Sequence, residues 1–178
     1  MPRGPAALVT PFVGVHCETV ATGTLLGAIG CEISEPMLFG LGEALGFVFL
    51  NLASLPLPFL GGRSKPFALT EAACANLGIV LHADETSSKT KAWGSLAEHL
   101  GESRPVGLQL DCFYLPYFER PPHFAGHFIA ALRLVSDGVE VVDTIQQGSV
   151  QRVPKQALES ARHAGGPMSA KARAYTIR

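Results

Sequence analysis

The sequence predicts an α+β domain in which N-terminal helices pack on an antiparallel sheet. Segments with apolar residues at helical spacing occupy the chain from about residue 15 to 104, and short strands separated by turns follow from about 105 to 178. The chain has 178 residues, of which 47% are hydrophobic, so it can bury a substantial core. We therefore expect a single domain over residues 1–178.

The first half of the chain carries most of the helix signals. A helix at 17–29 ends at Gly30, and a short helix begins at Ser34 or Glu35 with Pro36 in its first turn. The pattern then predicts a strand within the apolar stretch 48–60, a helix at 69–76 closed by Gly78, a strand at 79–85, and a helix at 91–100 that residues 87–90 cap and Gly101 ends.

The second half reads as strands and turns. A strand at 105–111 leads into an aromatic loop at 112–122, and a strand at 127–134 turns at Asp137-Gly138 into a strand at 139–143. The remaining elements are a turn at 146–149, a strand at 150–153, a helix at 154–162 and an edge strand at 173–177.

Charge and cysteine usage limit the function classes. The net charge of −1 gives no support for binding nucleic acid or a membrane surface, and the low charged fraction of 16% leaves a homodimer open. Six basic residues against one acid follow from Arg152 onward, and we expect them to form a solvated tail, with a basic surface for an acidic partner as the alternative. The four cysteines lack metal-ligand spacing. No signal peptide or membrane span is recognisable, so we expect a cytoplasmic protein with free thiols, no metal and no cofactor.

Cys17 is the first candidate for chemistry. It stands at the predicted start of the first helix, directly after Gly14-Val15-His16. The helix dipole and the free N–H groups of the first turn favour a thiolate there, and Glu18 suits the same positive end. A buried structural cysteine is the alternative, because free cysteines are among the most buried residues.

A cysteine nucleophile needs a base and a group that orients the base. His127 follows Gly126 at the mouth of an apolar strand, and Asp143 ends the neighbouring strand of the same hairpin. The two are not symmetric about the Asp137-Gly138 turn, so a bulge or an uneven loop is needed to bring them together. The order Cys, His, Asp, with helices before the sheet, is the layout of papain-like cysteine enzymes. A core histidine and an ordinary turn aspartate remain the alternatives.

A set of short motifs runs in order along the chain. They are His-Cys-Glu-Thr from residue 16, Ser-Glu-Pro-Met-Leu-Phe-Gly-Leu-Gly from 34, Leu-Gly-Phe from 45, Phe-Leu-Gly-Gly-Arg from 59, Lys-Ala-Trp from 91, Arg-Pro-Val from 104, Leu-Asp-Cys-Phe-Tyr-Leu-Pro-Tyr from 110 and Gly-His-Phe from 126. The set resembles the N-terminal domain of the butirosin biosynthesis protein BtrH family. This resemblance implies a papain-like (C39-like) cysteine-enzyme fold. It also implies a cysteine acyltransferase of antibiotic biosynthesis, which moves an acyl group from an acyl carrier protein thioester to an amine.

The same resemblance assigns roles to residues. It implies Cys17 as the nucleophile, His127 as the base and Asp143 as the orienting acid, although related peptidases often carry Asp-Pro where this chain has Asp143-Thr144. We assign His16, Asp111 and Tyr114 to substrate binding, with a structural cap as the alternative for Asp111. The donor would be a carrier protein or another acyl thioester, and the acceptor a small-molecule amine. The same triad could serve a thioesterase, cyclase or peptidase, and a non-catalytic binding protein with this fold is the second alternative.

Overall fold

The structure is a computed structural model, and it describes residues 9–51, 53, 58–62, 65–166, 168–169 and 171–178. The helices in these ranges are α1 (Cys17–Ala28), α2 (Glu35–Leu41), α3 (Ala68–Leu77), α4 (Lys89–Gly101) and α5 (Lys155–Arg162). The strands are β1 (Val48–Leu50), β2 (Phe59–Gly61), β3 (Leu81–Asp84), β4 (Val106–Leu110), β5 (His127–Val135), β6 (Gly138–Val142), β7 (Val150–Pro154) and β8 (Ala174–Ile177). The α+β class is confirmed, and each predicted helix ends within two residues of its expected bounds.

One six-stranded antiparallel sheet forms the centre of the fold, in the order β3-β8-β4-β5-β6-β7. Helices cover both of its faces, and for this reason β4 and β6 are buried along their whole length. Side chains alternate between the faces: Phe128 and Ala130 of β5 join the core with α1, α2 and α3, whereas Ile129 and Ala131 join the core with α4 and α5. The strand β3 brings part of the helical half of the sequence into the sheet.

The last strand is not an edge strand, and the prediction for 173–177 was wrong in this respect. β8 lies between β3 and β4 and pairs antiparallel with both, so β3 takes the edge. Its residues Tyr175, Thr176 and Ile177 are buried. Sequence reasoning could not place this strand, because its two partners come from segments about a hundred and about seventy residues earlier, and pairing over such separations leaves no local signal.

The expectation of a solvated C-terminal tail was wrong for two of its six basic residues, Arg162 and Arg173, while the other four are exposed. Arg162 is 4% exposed and donates from its guanidinium to the carbonyl oxygens of Ala92 and Ala172. Arg173 pairs with Glu85 and donates to the side chain of Gln109 at 2.8 Å. These cations therefore join α5 and β8 to the rest of the fold.

The turn between β5 and β6 lies one residue earlier than predicted. Val135 pairs with Gly138, so Ser136 and Asp137 form the two-residue loop and the glycine belongs to β6. The reason is the approach of β7: a Cβ on Gly138 would lie 2.0 Å from the carbonyl oxygen of Val153. The glycine is thus required by strand packing and not by the turn.

The apolar stretch predicted to contain a strand forms a separate two-stranded hairpin of β1 and β2. Residues 52, 54–57, 63 and 64 of this region lie outside the described residues. Large apolar side chains of the hairpin and the segment before it are exposed, among them Phe47, Phe49 and Leu60. Among the helices that the structure describes, none has the length and apolarity needed to cross a bilayer.

The close contact between β4 and β8 makes a stability prediction. A Cβ on Gly107 would lie 2.1 Å from the ring of Tyr175, which is buried and cannot move aside. We expect Gly107→Ala to lower the free energy of unfolding by about 2 kcal/mol, measured by urea denaturation. Gly94→Ala is the matched control: this glycine lies within α4 with no atom near its Cβ position, so alanine should stabilise by about 0.5–1 kcal/mol. Equal effects at the two positions would contradict the packing argument.

Candidate active site

Cys17 is the first residue of α1, and the residue before it caps the helix. His16 has an extended backbone, and its Nδ1 accepts a hydrogen bond from the Thr19 N–H at 3.4 Å. The edge of the His16 ring also packs on Phe39, with ring centroids 5.4 Å apart. The structure therefore places His16 as an N-cap beside the thiol, and its assignment to substrate binding stays a prediction.

The loop that precedes Cys17 is held by the carboxylate of Glu35, at the start of α2. Glu35 accepts hydrogen bonds from the backbone N–H groups of Val15 and His16, both at 3.0 Å, and from the Thr19 hydroxyl at 2.7 Å. Partial burial opposes the charged form, but these hydrogen bonds and the neighbouring His16 outweigh burial and lower the pKa of Glu35. Sequence reasoning missed this residue, because nothing local connects a glutamate after a turn with a loop twenty residues earlier.

Glu18 turns away from the thiol into the protein interior. It is fully buried, and its carboxylate accepts hydrogen bonds from the N–H groups of Phe67 and Thr70, at the start of α3. The Thr70 hydroxyl donates to the same carboxylate at 3.1 Å. Glu18 therefore caps the N-terminus of α3, where the helix dipole also stabilises a carboxylate. In this way it joins α1 to α3.

His127, Asp143 and Cys17 come together at one end of the central sheet. His127 is the first residue of β5, Asp143 directly follows β6, and their side chains meet through Nε2 and Oδ2 at 2.7 Å. Cys17 also acts on His127, because its side chain, through hydrogen bonding and charge, helps to raise the pKa of the ring. Since Nε2 is engaged by Asp143, Nδ1 is the ring nitrogen left for the sulfur. The three side chains that the sequence singled out are thus neighbours, with the imidazole between the thiol and the carboxylate.

The environment of His127 favours its charged form. Burial of the ring opposes a positive charge, but the hydrogen bonds to Asp143 and Cys17 and the negative charges of both raise the pKa of His127 to about 10. His127 is 7% exposed and Asp143 is 1% exposed. An imidazolium beside a cysteine sulfur is the arrangement that activates a thiolate nucleophile.

A β-bulge in β5 puts His127 and Asp143 on the same face of the sheet. The pairing register shifts between Ala131 and Arg133, after which Ala130 pairs with Val142. Continued by one residue, this register sets Asp143 opposite Ile129, which shares a face with His127. Without the bulge Asp143 would lie opposite Ala130, on the other face. The sequence predicted that a bulge or an uneven loop was needed, and the bulge is found.

The carboxylate of Asp143 has further donors besides His127. Its Oδ1 accepts the N–H of Thr144 at 2.7 Å, a bond that a proline at this position could not make. Its Oδ2 accepts the hydroxyl of Tyr117 at 2.7 Å. The ring of Phe118 packs edge-on against His127, with centroids 5.3 Å apart. Tyr117 and Phe118 were missed as site residues, although the aromatic loop that carries them was recognised.

Asp111 directly precedes that aromatic loop, and Tyr114 lies on it. Asp111 is 1% exposed and accepts hydrogen bonds from the N–H groups of Phe113 and Phe124, and its other oxygen meets His123 Nδ1 at 2.9 Å. These bonds lower the pKa of Asp111 in spite of its burial. Tyr114 is 37% exposed and packs edge-on against Phe113. The structure therefore gives Asp111 the task of closing the loop, and contact of either residue with substrate stays a prediction.

Within the part of the chain that the structure describes, no group of three or more His, Cys, Asp or Glu side chains is arranged to hold a metal ion. Cys17, Cys31, Cys74 and Cys112 are free thiols. Of these, Cys74 and Cys112 are buried, and burial raises the pKa of each to about 11.

A known protein family matches most of the chain. The family model described as butirosin biosynthesis protein H, N-terminal, matches residues 16–144, a segment that includes Cys17, His127 and Asp143. The chain belongs to this family. No protein in the curated set matches the chain.

Two solved structures show the same fold. The peptidase domain of Streptococcus ComA, a bi-functional ABC transporter of a quorum-sensing pathway, is similar with a TM-score of 0.57 and 12% identity over 94% of both chains. A protein described as a C39-like peptidase, from Bacillus anthracis, is similar with a TM-score of 0.60 and 15% identity over 98% of this chain and 94% of its own. This member of the BtrH family therefore has the C39-like, papain-like fold that the sequence predicted.

The position of His127 predicts the reactivity of Cys17. We expect iodoacetamide to label Cys17 near neutral pH at least about tenfold faster than a free peptide thiol, and His127→Ala to remove this advantage, because the imidazolium that stabilises the thiolate is lost. Peptide mapping after timed labelling measures the rates, with Cys31 as an internal reference. His82→Ala, which removes an exposed histidine of β3, is the control and should leave the rate unchanged. A rate at Cys17 no higher than that of a free thiol would contradict the prediction.

Glu35 predicts a pH-dependent stability. Folding lowers the pKa of Glu35, so its charged carboxylate stabilises the folded state. This contribution is fully present above the pKa that Glu35 has in the unfolded chain, and it is lost as the pH falls through the lowered pKa of the folded state. We expect Glu35→Gln to cost about 1 kcal/mol at neutral pH, allowing for solvent screening, and less in acid. Urea denaturation at both pH values measures this. Glu32→Gln, the control, changes an exposed glutamate three residues before Glu35 and should have little effect on stability at either pH. A loss of stability for Glu35→Gln that does not depend on pH would refute the role given to its carboxylate.

Proposed function

We propose that this BtrH-family protein is a cysteine acyltransferase of natural-product biosynthesis, which moves an acyl group from a carrier-protein thioester, or another acyl thioester, to a small-molecule amine. The observation that carries the proposal is the contact of His127 with both Cys17 and Asp143 at the start of α1. A thiol, an acid–base group and an orienting carboxylate are the parts that acyl transfer through a covalent intermediate requires. Membership of a family described by a butirosin biosynthesis protein supports a role in natural-product biosynthesis. Transfer to an amine is the use of these groups that the resemblance of the motifs implies.

In the first half of the proposed reaction, the Cys17 sulfur attacks the thioester carbonyl carbon and forms a new C–S bond. The negative charge moves to the carbonyl oxygen, where the Cys17 N–H at the N-terminus of α1 is a suitable donor. Collapse of this intermediate breaks the bond to the carrier thiol, and His127 gives that leaving sulfur its proton. The acyl group then remains on Cys17 as a thioester.

In the second half, the amine attacks the acyl group on Cys17. His127, now neutral, accepts the proton that the amine loses, and Asp143 holds the ring in the orientation that this requires. Breakage of the C–S bond releases the amide and restores the thiolate beside the imidazolium. The proton taken from the amine replaces the one that left with the carrier thiol, so the cycle closes without any change of oxidation state.

The surface next to Cys17 supports an apolar acyl group as the donor. Val13 and Val15 precede the nucleophile and are 70% and 57% exposed. Ile145, 48% exposed, is tied to the same loop by a hydrogen bond from its N–H to the Gly14 carbonyl oxygen at 3.0 Å. We propose that these side chains contact the acyl chain, and that His16 and Tyr114, which lies on the loop that the buried Asp111 closes, belong to the surface that receives the amine.

Peptide or thioester hydrolysis is the second candidate. It is favoured by the fold shared with the peptidase domain of ComA and with the C39-like peptidase of Bacillus anthracis. The chemistry to the acyl-enzyme is the same, and the difference is whether water, an amine or, for a cyclase, a nucleophile within the acyl chain then attacks. A binding protein that retains the fold without catalysis is the third candidate.

Intact-mass spectrometry separates these candidates. With butyryl- and octanoyl-pantetheine as donors, we expect an acyl adduct on Cys17 that persists in buffer and disappears with formation of an amide when a polyamine is added. Cys17→Ala should abolish the adduct. Cys31→Ala, which removes a half-buried thiol in the loop after α1, is the control and should retain it.

Other outcomes of the same experiment favour the other candidates. Loss of the adduct to water at the same rate with and without amine would replace the acyltransferase by a hydrolase. Release of a cyclic product without added amine would indicate a cyclase. No adduct from either donor, together with slow iodoacetamide labelling of Cys17, would leave only the binding protein.

A further inference from the structure

Tyr117 is the second side chain that donates to the carboxylate oxygen facing His127. Its hydroxyl lies 2.7 Å from Asp143 Oδ2, and His127 Nε2 lies at the same distance from the same atom. The other oxygen, Oδ1, is engaged by the Thr144 N–H. Both oxygens of Asp143 therefore have donors. These donors fix the orientation of the carboxylate, and the carboxylate in turn holds the ring of His127.

The phenol stays a donor throughout the physiological pH range. Burial, the negative charge of Asp143 and the hydrogen bond to it raise the pKa of Tyr117. A neutral phenol that shares Oδ2 draws part of the carboxylate charge toward itself, so less of that charge stabilises the imidazolium. The titratable groups that act on His127 are Cys17 of α1 and Asp143 after β6. The buried thiol of Cys112, whose pKa is raised to about 11, interacts with both of these and with Tyr117, and the ring of Phe118, which packs edge-on against His127, is apolar.

We infer that Tyr117 is a positioning residue, which holds Asp143 in place and limits the negative charge that this carboxylate presents to His127. The inference rests on the proposed function, in which His127 must release its proton to a leaving thiol and later take one from an amine. An imidazolium held too strongly by Asp143 would release that proton less readily. Tyr117 moderates this hold without contacting the reacting atoms.

The pH titration of the His127 ring tests the inference, followed by NMR of the labelled imidazole. We expect Tyr117→Phe to move the midpoint upward by roughly half a pH unit, because the full charge of Oδ2 then acts on the ring. The same substitution in an Asp143→Asn background should move it little, because the charge is absent. Tyr175→Phe is the matched control: it removes a buried phenol that is bonded to Thr22, and it should leave the midpoint unchanged.

A second substitution at position 117 tests the inference even if the Tyr117→Phe variant does not fold. Site-specific incorporation of 3-fluorotyrosine at position 117 preserves the ring and strengthens the donor, so the midpoint should move downward. An unchanged or downward midpoint in Tyr117→Phe, an equal shift in the Asp143→Asn background, or no shift with the fluorinated ring would each overturn the inference. The titration needs no substrate, so it can fail or succeed separately from the acyl-transfer experiment.

Discussion

The buried contact of His127 with a thiol on one side and a carboxylate on the other is the interaction on which the proposed chemistry depends. A positive charge in such a buried place is costly unless negative groups face it. Here Asp143 and Cys17 both face it, and the pKa of His127 is raised in spite of the burial. The site can therefore keep a charged acid at neutral pH, which a solvent-exposed histidine could not do.

Much of the surrounding structure holds these three groups in place, and most of the side chains that do so are acidic. Glu35 holds the loop before Cys17, Glu18 joins α1 to α3, and Asp111 closes the aromatic loop that carries Tyr117. In each case a carboxylate accepts backbone N–H groups that a helix start or a tight loop leaves without partners. The acidic residues next to the site are thus hydrogen-bonded within the protein, and Asp111 among them is buried from solvent.

The C-terminal segment shows how charge in a sequence can mislead. Arg162 and Arg173 belong to a run with six basic residues and one acid, a composition typical of a solvated or partner-binding tail. In the structure Arg162 satisfies two carbonyl oxygens inside the fold, and Arg173 pairs with Glu85 and stacks over Phe67. Their carbonyl and carboxylate partners come from distant segments, so the sequence alone could not distinguish a structural arginine from a free one.

The sequence by itself determined the local elements and the identity of the three central residues. Helix ends at Gly30 and Gly78, both with a left-handed backbone, follow from capping preferences that act over a few residues, and the α+β class follows from the period of the hydrophobic residues. Only the tertiary structure decided the rest: β8 inside the sheet, the bulge that turns Asp143 to the face of His127, and the contacts of Glu35 and Tyr117. Each of these depends on the pairing or packing of segments far apart in the chain, where a shift of one residue reverses the face of a side chain and no neighbouring residue records the outcome.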